Sequence, residues 1–300
     1  IDRRGTVSTK HDTVADNGYP EDVLPMWVAD MDFRVPACIT DALQKTVDHG
    51  IFGYSFAPKE YYEAVRNWFA VHFDWQIQRD WMVFSPGVVF ALSTAIRVMT
   101  QPSAAVLVTP PVYYPFYNVI RNNERKLVES QLVYEDGRYS IDFEDFEQKV
   151  KECRLFLLCH PHNPGGRVWR REELVRMAEI CADNNVIVIS DEIHADLTFK
   201  GYKHIPFATV CEKAAMNSIT MMAASKSFNI AGLMSSFTII PNKELRDRYN
   251  GYLMKSELNH AHIFATIATA AAFSDEGAKW LGQIVDYITA NVDYMEKFIA

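Results

Sequence analysis

The sequence predicts an α/β protein whose open, mostly parallel sheet is flanked by helices. Continuous apolar runs without alternation are typical of strands that helices cover on both faces. Segment 171–185 has the apolar spacing of a helix, so strand and helix alternate as in a doubly wound sheet. Polar or aromatic residues follow each run, which suits a ligand site. The runs are AAVLV (104–108), LFLLC (155–159), VIVIS (186–190) and SITMMA (218–223).

The composition limits the classes of partner. A net charge of −8 over 300 residues argues against nucleic acid. The sequence contains no run of about 18 apolar residues, so no membrane span is expected. The first residues lack the apolar core of a signal peptide. The five cysteines are scattered and form no Cys-x-x-Cys pair. We therefore expect a cytoplasmic protein with unpaired thiols and neither a nucleic acid nor a membrane as partner.

The end of the chain predicts one long helix. Over 277–300, apolar residues recur at helical spacing, and no glycine or proline ends the pattern. We expect this helix to lead into a further C-terminal part that is largely missing here.

The residues after the four runs predict a small-molecule site. They include Tyr113, Asn163, Asp191 and Lys226, one for each run. Ligands of open α/β sheets bind outside the carboxyl ends of the strands, so these side chains should converge on one crevice. A cation at the end of a buried strand is costly unless it is paired or has lost its charge, and an uncharged lysine can form an imine. The pattern favours a site built around Lys226.

An anion site is predicted beside it. Segment 85–99 begins Ser-Pro-Gly and continues as a helix. The backbone N–H groups of Val88 and Val89, which follow Gly87, can hold an anion together with the helix dipole.

Each of these residues also has a structural interpretation. Lys226 could be a solvated strand end, Asp191 a helix cap, NPGG a turn and YYPFY core packing. A metal site formed by Asp191 with His160, His162 and His194 lacks supporting ligand spacing, so no metal is expected. The occurrence of four chemically suited residues at successive strand ends favours the ligand site.

Several motifs resemble a known family. HPHNPGGRVW, VISDEIHAD and SKSFNIAG, in this order, resemble the fold-type I pyridoxal 5′-phosphate (PLP) enzymes of the class I/II aminotransferase superfamily. LPMWVADMDF (24–33) and GIFGYS (50–55) resemble its cystathionine β-lyase subgroup, the MalY/PatB-like C–S lyases. The resemblance implies an N-terminal segment of a small domain (1–35), a large PLP-binding domain (36–276) and the start of an interdomain helix (277–300).

The resemblance also implies roles for single residues. Lys226 would carry PLP as a Schiff base and remove the Cα proton of the substrate. Asp191 would pair with the pyridinium N–H and keep the ring an electron sink. Asn163 would donate to the phenolic oxygen, Tyr113 would stack on the ring, and Tyr114 would lie near the substrate.

Further cofactor contacts follow from the same resemblance. Tyr54 would reach the phosphate of the neighbouring subunit, which implies a homodimer with shared active sites. Two positions depart from the family pattern: Ala223 replaces a phosphate-binding hydroxyl, and Met234 replaces the arginine of aspartate aminotransferases. The arginine that grips the substrate carboxylate is expected beyond residue 300. The implied contacts to the cofactor, besides those above, are Gly87, Val88, Val89, His194, Ser225 and Tyr54.

The function implied by the resemblance is a PLP-dependent carbon–sulfur β-lyase. It would cleave cystathionine or related cysteine S-conjugates to pyruvate, ammonia and a thiol. The alternatives are an aminotransferase, which removes the same proton but returns one to the cofactor, and a PLP-bound regulatory or binding protein. The sequence leaves the preferred leaving group open.

Overall fold

A computed structural model describes residues 1–20 and 22–299, in which helices alternate with the strands of one large sheet. The helices are α1 (Thr9–Asp12), α2 (Ala37–His49), α3 (Lys59–Phe73), α4 (Val88–Met99), α5 (Pro115–Asn122), α6 (Phe143–Val150), α7 (Arg171–Asp183), α8 (Glu212–Met216), α9 (Lys243–Lys255), α10 (Ile263–Ala272) and α11 (Asp275–Ile299). The strands are β1 (Met82–Ser85), β2 (Ala105–Val108), β3 (Lys126–Glu129), β4 (Leu132–Glu135), β5 (Arg138–Ile141), β6 (Cys153–Cys159), β7 (Ile187–Asp191), β8 (Ser218–Met222) and β9 (Ser236–Ile239).

Seven of these strands form the central sheet, in the order β1-β9-β8-β7-β6-β2-β3. Strand β9 is antiparallel to both of its neighbours, and the remaining pairs are parallel. The carboxyl ends of β1, β2, β6, β7 and β8 therefore lie at one edge of the sheet. This arrangement confirms the predicted α/β class with a mostly parallel sheet.

Helices cover both faces of the sheet. On β2, Val106 packs in a core cluster with α4, α5 and α9. Its neighbour Leu107 points to the opposite face and packs with α6 and α7. Successive residues of a strand face opposite sides, so a strand covered on both sides is apolar over most of its length. The continuous apolar runs in the sequence have this cause.

The predicted elements agree with the structure to within two residues at their ends. The runs 104–108, 155–159, 186–190 and 218–223 form β2, β6, β7 and β8. The predicted helices 171–185 and 277–300 form α7 and α11, and Ala300 lies outside the described residues. Strands β1, β3 and β9 and the β4–β5 hairpin were not predicted. Across 1–20 and 22–299, no helix has the length and apolarity needed to span a membrane.

Candidate active site

The loop after β8 holds the backbone of Lys226 in place by contacts on both sides of this residue. The backbone N–H of Phe228 donates to the carbonyl oxygen of Ala224 at 2.9 Å, so the chain turns tightly around Lys226. The Ser227 hydroxyl donates to the Asp196 carboxylate at 2.7 Å. The ring of Phe228 is fully buried and stacks on Trp280 of α11, with 6.0 Å between the ring centroids. These contacts fix the loop independently of the lysine side chain.

The amine of Lys226 lies among polar groups at the sheet edge. Its Nζ donates to the carbonyl oxygen of Ala29 at 3.1 Å. Burial lowers the pKa of Lys226, and the negative charges of Asp30 and Asp191 oppose this shift. A lowered pKa raises the fraction of neutral amine, which is the nucleophilic and basic form.

Asp191 is the last residue of β7 and is buried. One carboxylate oxygen, Oδ1, accepts from the backbone N–H of Ile193 at 3.2 Å. Within the described residues, Oδ2 accepts no hydrogen bond. Burial raises the pKa of Asp191 to about 7, and the charge of Lys226 lowers it in part. The ionised form of Asp191 is therefore stable at this buried position only when a positive charge lies close to it.

Tyr113 follows β2 and packs half-buried against the core. Burial raises the pKa of Tyr113, and the nearby Tyr114 and Asp191 raise it further. Tyr114 is exposed, with its ring centroid 5.6 Å from that of Tyr113. The two aromatic side chains therefore lie at the same sheet edge, one against the core and one toward solvent.

Asn163 lies in the loop after β6, which is tied to the loop after β2. Its backbone N–H donates to Sγ of Cys159 at 3.3 Å. In the same loop, Nε2 of His162 donates to the carbonyl oxygen of Pro111, two residues before Tyr113, at 2.8 Å. These contacts bring Asn163 and Tyr113 to adjoining loops above the sheet.

The predicted anion site lies at the same edge, because β1 ends there. Gly87 has φ = +108°, a conformation that favours glycine, and its N–H donates to Oγ of Ser236 at 3.1 Å. Helix α4 then begins at Val88 without a side-chain cap. The N–H groups of Val88 and Val89 belong to the first turn, which has no acceptors inside the helix, so they can hold an anion. Ser225 lies half-buried in the Lys226 loop.

The remaining predicted residues, His194 and Tyr54, differ in their relation to Lys226. His194 is near Lys226: burial lowers the pKa of His194 to about 4, and the charge of Lys226 lowers it further. Tyr54 is fully exposed between α2 and α3, and within the described residues it makes no side-chain hydrogen bond. In the described part of the chain, no hydrogen bond or ring contact joins the side chain of Tyr54 to the other predicted residues.

The sequence reasoning missed several residues that lie against the Lys226 loop. Ala29 is 197 positions from Lys226, and Asp30 follows it. Both lie in the motif LPMWVADMDF (24–33), but nothing in that motif indicates a contact with Lys226. Asp196 and Asn229 belong to quoted motifs, but nothing in their spacing showed that they hold the loop. Within 1–20 and 22–299, no group of three or more His, Cys, Asp or Glu side chains is placed to bind a metal ion.

Comparison with known proteins identifies the family. Residues 21–299 match the aminotransferase class I and II family. The chain is 44% identical to cystathionine beta-lyase PatB of Bacillus subtilis (strain 168), over 100% of this chain and 78% of that protein. It is similar to cystalysin from Treponema denticola, which contains pyridoxal 5′-phosphate (TM-score 0.94, 36% identity, 99% of this chain and 76% of that one). It is also similar to the PLP-bound C–S lyase from Staphylococcus hominis (TM-score 0.92, 35% identity, 100% and 75%). The chain belongs to the class I and II aminotransferase family, as the motifs predict.

Proposed function

We propose that the protein is a PLP-dependent carbon–sulfur β-lyase that cleaves cystathionine or a related cysteine S-conjugate. The observation that carries this proposal is the amine of Lys226, whose pKa burial lowers, at the same sheet edge as the carboxyl group of Asp191. The similarity to cystathionine beta-lyase PatB and to a C–S lyase structure favours elimination over amino-group transfer.

The residues present fit PLP. The first turn of α4 offers N–H groups for a phosphate. The free oxygen of Asp191 suits a protonated ring nitrogen, whose positive charge would offset the cost of burying the carboxylate. Lys226 supplies the amine that the aldehyde needs. When bound, the cofactor withdraws electrons from the substrate Cα and makes its proton acidic.

The side chains of the protein then have distinct tasks. Neutral Lys226 accepts the Cα proton, and its ammonium form can return a proton to the departing sulfur as a general acid. Asp191 keeps the ring nitrogen protonated. The amide of Asn163 would donate to the phenolic oxygen of the cofactor, and Tyr113 would pack against its ring.

The proposal includes a homodimer with shared sites. The segment around Tyr54 exposes the apolar side chains of Ile51, Phe52 and Phe56. Such a patch is typical of a surface that another chain covers, and a second copy would bring Tyr54 to the phosphate of its neighbour. The division of the chain at residues 35 and 276 and a cytoplasmic location are also part of the proposal. All five cysteines are free, as a reducing compartment requires.

A product assay tests the proposed reaction. The protein is incubated with cystathionine, with and without an oxo acid, and pyruvate, free thiol and pyridoxamine phosphate are counted. We expect pyruvate and thiol in equal amounts, whether or not the oxo acid is present. Stoichiometric pyridoxamine phosphate with little pyruvate would identify an aminotransferase, the second candidate that the family name supports. Cofactor binding without either product would favour a binding protein, and Lys226→Ala serves as the inactive control.

A further inference from the structure

Residues 29–33, called the N-terminal strip, lie against the loop that carries Lys226. The amide of Asn229 makes three hydrogen bonds to this strip. Its Oδ1 accepts from the backbone N–H of Met31 at 2.9 Å. Its Nδ2 donates to the carbonyl oxygens of Met31 at 2.9 Å and Phe33 at 3.0 Å. Both N–H groups and the oxygen of the amide are thus engaged with the strip.

The backbone of Asn229 is suited to this position. Its φ is +56°, in the left-handed region that asparagine tolerates better than most residues. Charged pairs hold the strip from the N-terminal side, where Arg3 contacts Asp30 at 2.8 Å and Lys10 contacts Asp32 at 3.1 Å. Asn229, three residues after Lys226, joins the strip to the loop that carries Lys226.

Ala29, the first residue of the strip, contacts the amine of Lys226. Nζ of Lys226 donates to the carbonyl oxygen of Ala29 at 3.1 Å, and Ala29 is two residues before Met31. We propose that Asn229 is a positioning residue for Lys226: by holding the strip, it keeps the Ala29 carbonyl where it restricts rotation of the amine. The lone pair of the neutral amine can then point in fewer directions. This role rests on the proposed function, in which Lys226 is the base.

Two variants separate the amide from the backbone conformation. Asn229→Gly removes all three hydrogen bonds but adopts positive φ readily, whereas Asn229→Ala also strains the backbone. In the cofactor-free protein labelled with [¹³Cε]lysine, we expect the order parameter of Lys226 Cε to fall in Asn229→Gly. The amide of Met31 should exchange with solvent about tenfold faster, as expected for loss of roughly one hydrogen bond. Lys226→Ala assigns the resonance.

Kinetics provide a third readout. With cystathionine, we expect kcat of Asn229→Gly to fall about tenfold while KM changes little, since a misplaced base slows proton transfer. The deuterium isotope effect with Cα-deuterated substrate should increase, which a loss of stability alone would not cause. Arg4→Ala removes an exposed pair with Asp2 and serves as the control, with no expected change.

The outcomes are distinct. An unchanged order parameter of Lys226 and unchanged Met31 exchange in Asn229→Gly would overturn the proposal. So would wild-type kinetics in Asn229→Gly combined with a defect in Asn229→Ala, because asparagine would then serve only the left-handed backbone. If the wild-type protein fails to cleave cystathionine, the proposed function fails, and the order parameter still decides whether Asn229 positions the amine.

Discussion

Asp191 on β7 lies directly opposite Cys159 on β6, and both side chains are buried. Burial raises the pKa of each, to about 7 for Asp191. The Cys159 thiol carries no positive charge that could stabilise the ionised carboxylate. The charge of Lys226 offsets only part of the effect of burial. Burial therefore makes the ionised form of Asp191 costly in the protein without a cationic ligand.

The first prediction concerns the pH dependence of stability. The pKa of Asp191 is about 7 in the folded protein, above the ordinary value of 3.8. A group with a raised folded pKa stabilises the fold fully below its unfolded pKa, and this contribution is lost as pH rises through the folded pKa. Between pH 4 and 7 the cofactor-free protein should therefore lose at most about 4 kcal/mol of stability through Asp191.

Asp191→Asn removes this titration. In urea unfolding of the cofactor-free proteins, the variant should gain stability relative to wild type as pH rises from 5 to 8. Its turnover should fall strongly and its retention of PLP should weaken, because an amide carries no negative charge to pair with the protonated ring nitrogen. Parallel pH profiles of the two proteins, or near-normal turnover, would show that Asp191 only caps the following segment.

The second prediction is a covalent link at Lys226. The purified protein should be yellow, and borohydride reduction should fix the cofactor to the peptide that contains Lys226. Lys226→Ala should lose the link while keeping the fold, since Ser227 and Phe228 hold the loop independently. Mass spectrometry of the reduced, digested protein checks both statements, and a label on another lysine would contradict them.

The third prediction is that Glu192 stabilises the loop that leads away from the site. Its buried carboxylate accepts from Ser190 at 2.7 Å, from the backbone N–H of Phe207 at 2.9 Å and from His204 at 2.7 Å. Glu192→Ala leaves these neutral donors unpaired, at roughly 1–3 kcal/mol each, and should lower the unfolding free energy by several kcal/mol. Glu179→Ala, on the exposed face of α7, should change it by less than about 0.5 kcal/mol. Equal effects of the two changes in urea unfolding would refute this role.

The sequence was sufficient for the strands in the middle of the sheet and insufficient at its margins. Strands β2, β6, β7 and β8 are apolar because helices cover both of their faces. Strand β9 is equally buried and carries Ser236 and Thr238 much as β8 carries Ser218 and Thr220, but its run of four residues is too short to stand out in the sequence. Ser236 is tolerated because its hydroxyl donates to the carbonyl oxygen of Ser85 at 2.8 Å, a partner that periodicity cannot reveal. Edge strand β3 begins with Lys126 and ends with Glu129, so it lacked a continuous run.

The site divides in the same way. Asp191 and Lys226 could be found because parallel strands bring their carboxyl ends to one edge. The contact of Asn229 with Met31 joins residues 198 positions apart, and it depends on tertiary packing that no local pattern encodes.

The last prediction tests whether two chains share each site. In the proposed dimer, each site takes Tyr54 from one subunit and Lys226 from the other. Tyr54 is fully exposed and could reach a neighbouring chain, whereas Lys226 lies half-buried at the sheet edge. Tyr54→Phe and Lys226→Ala should each reduce activity in the pure variants. When the two are unfolded together and refolded, mixed dimers contain one site with both native residues and one with neither. Random pairing in a closed two-fold dimer should then restore about a quarter of wild-type activity. The measurement is pyruvate release from cystathionine after mixing, with each variant refolded alone as the control. Activity no higher than the mean of the separate variants would show that each site is built from a single chain.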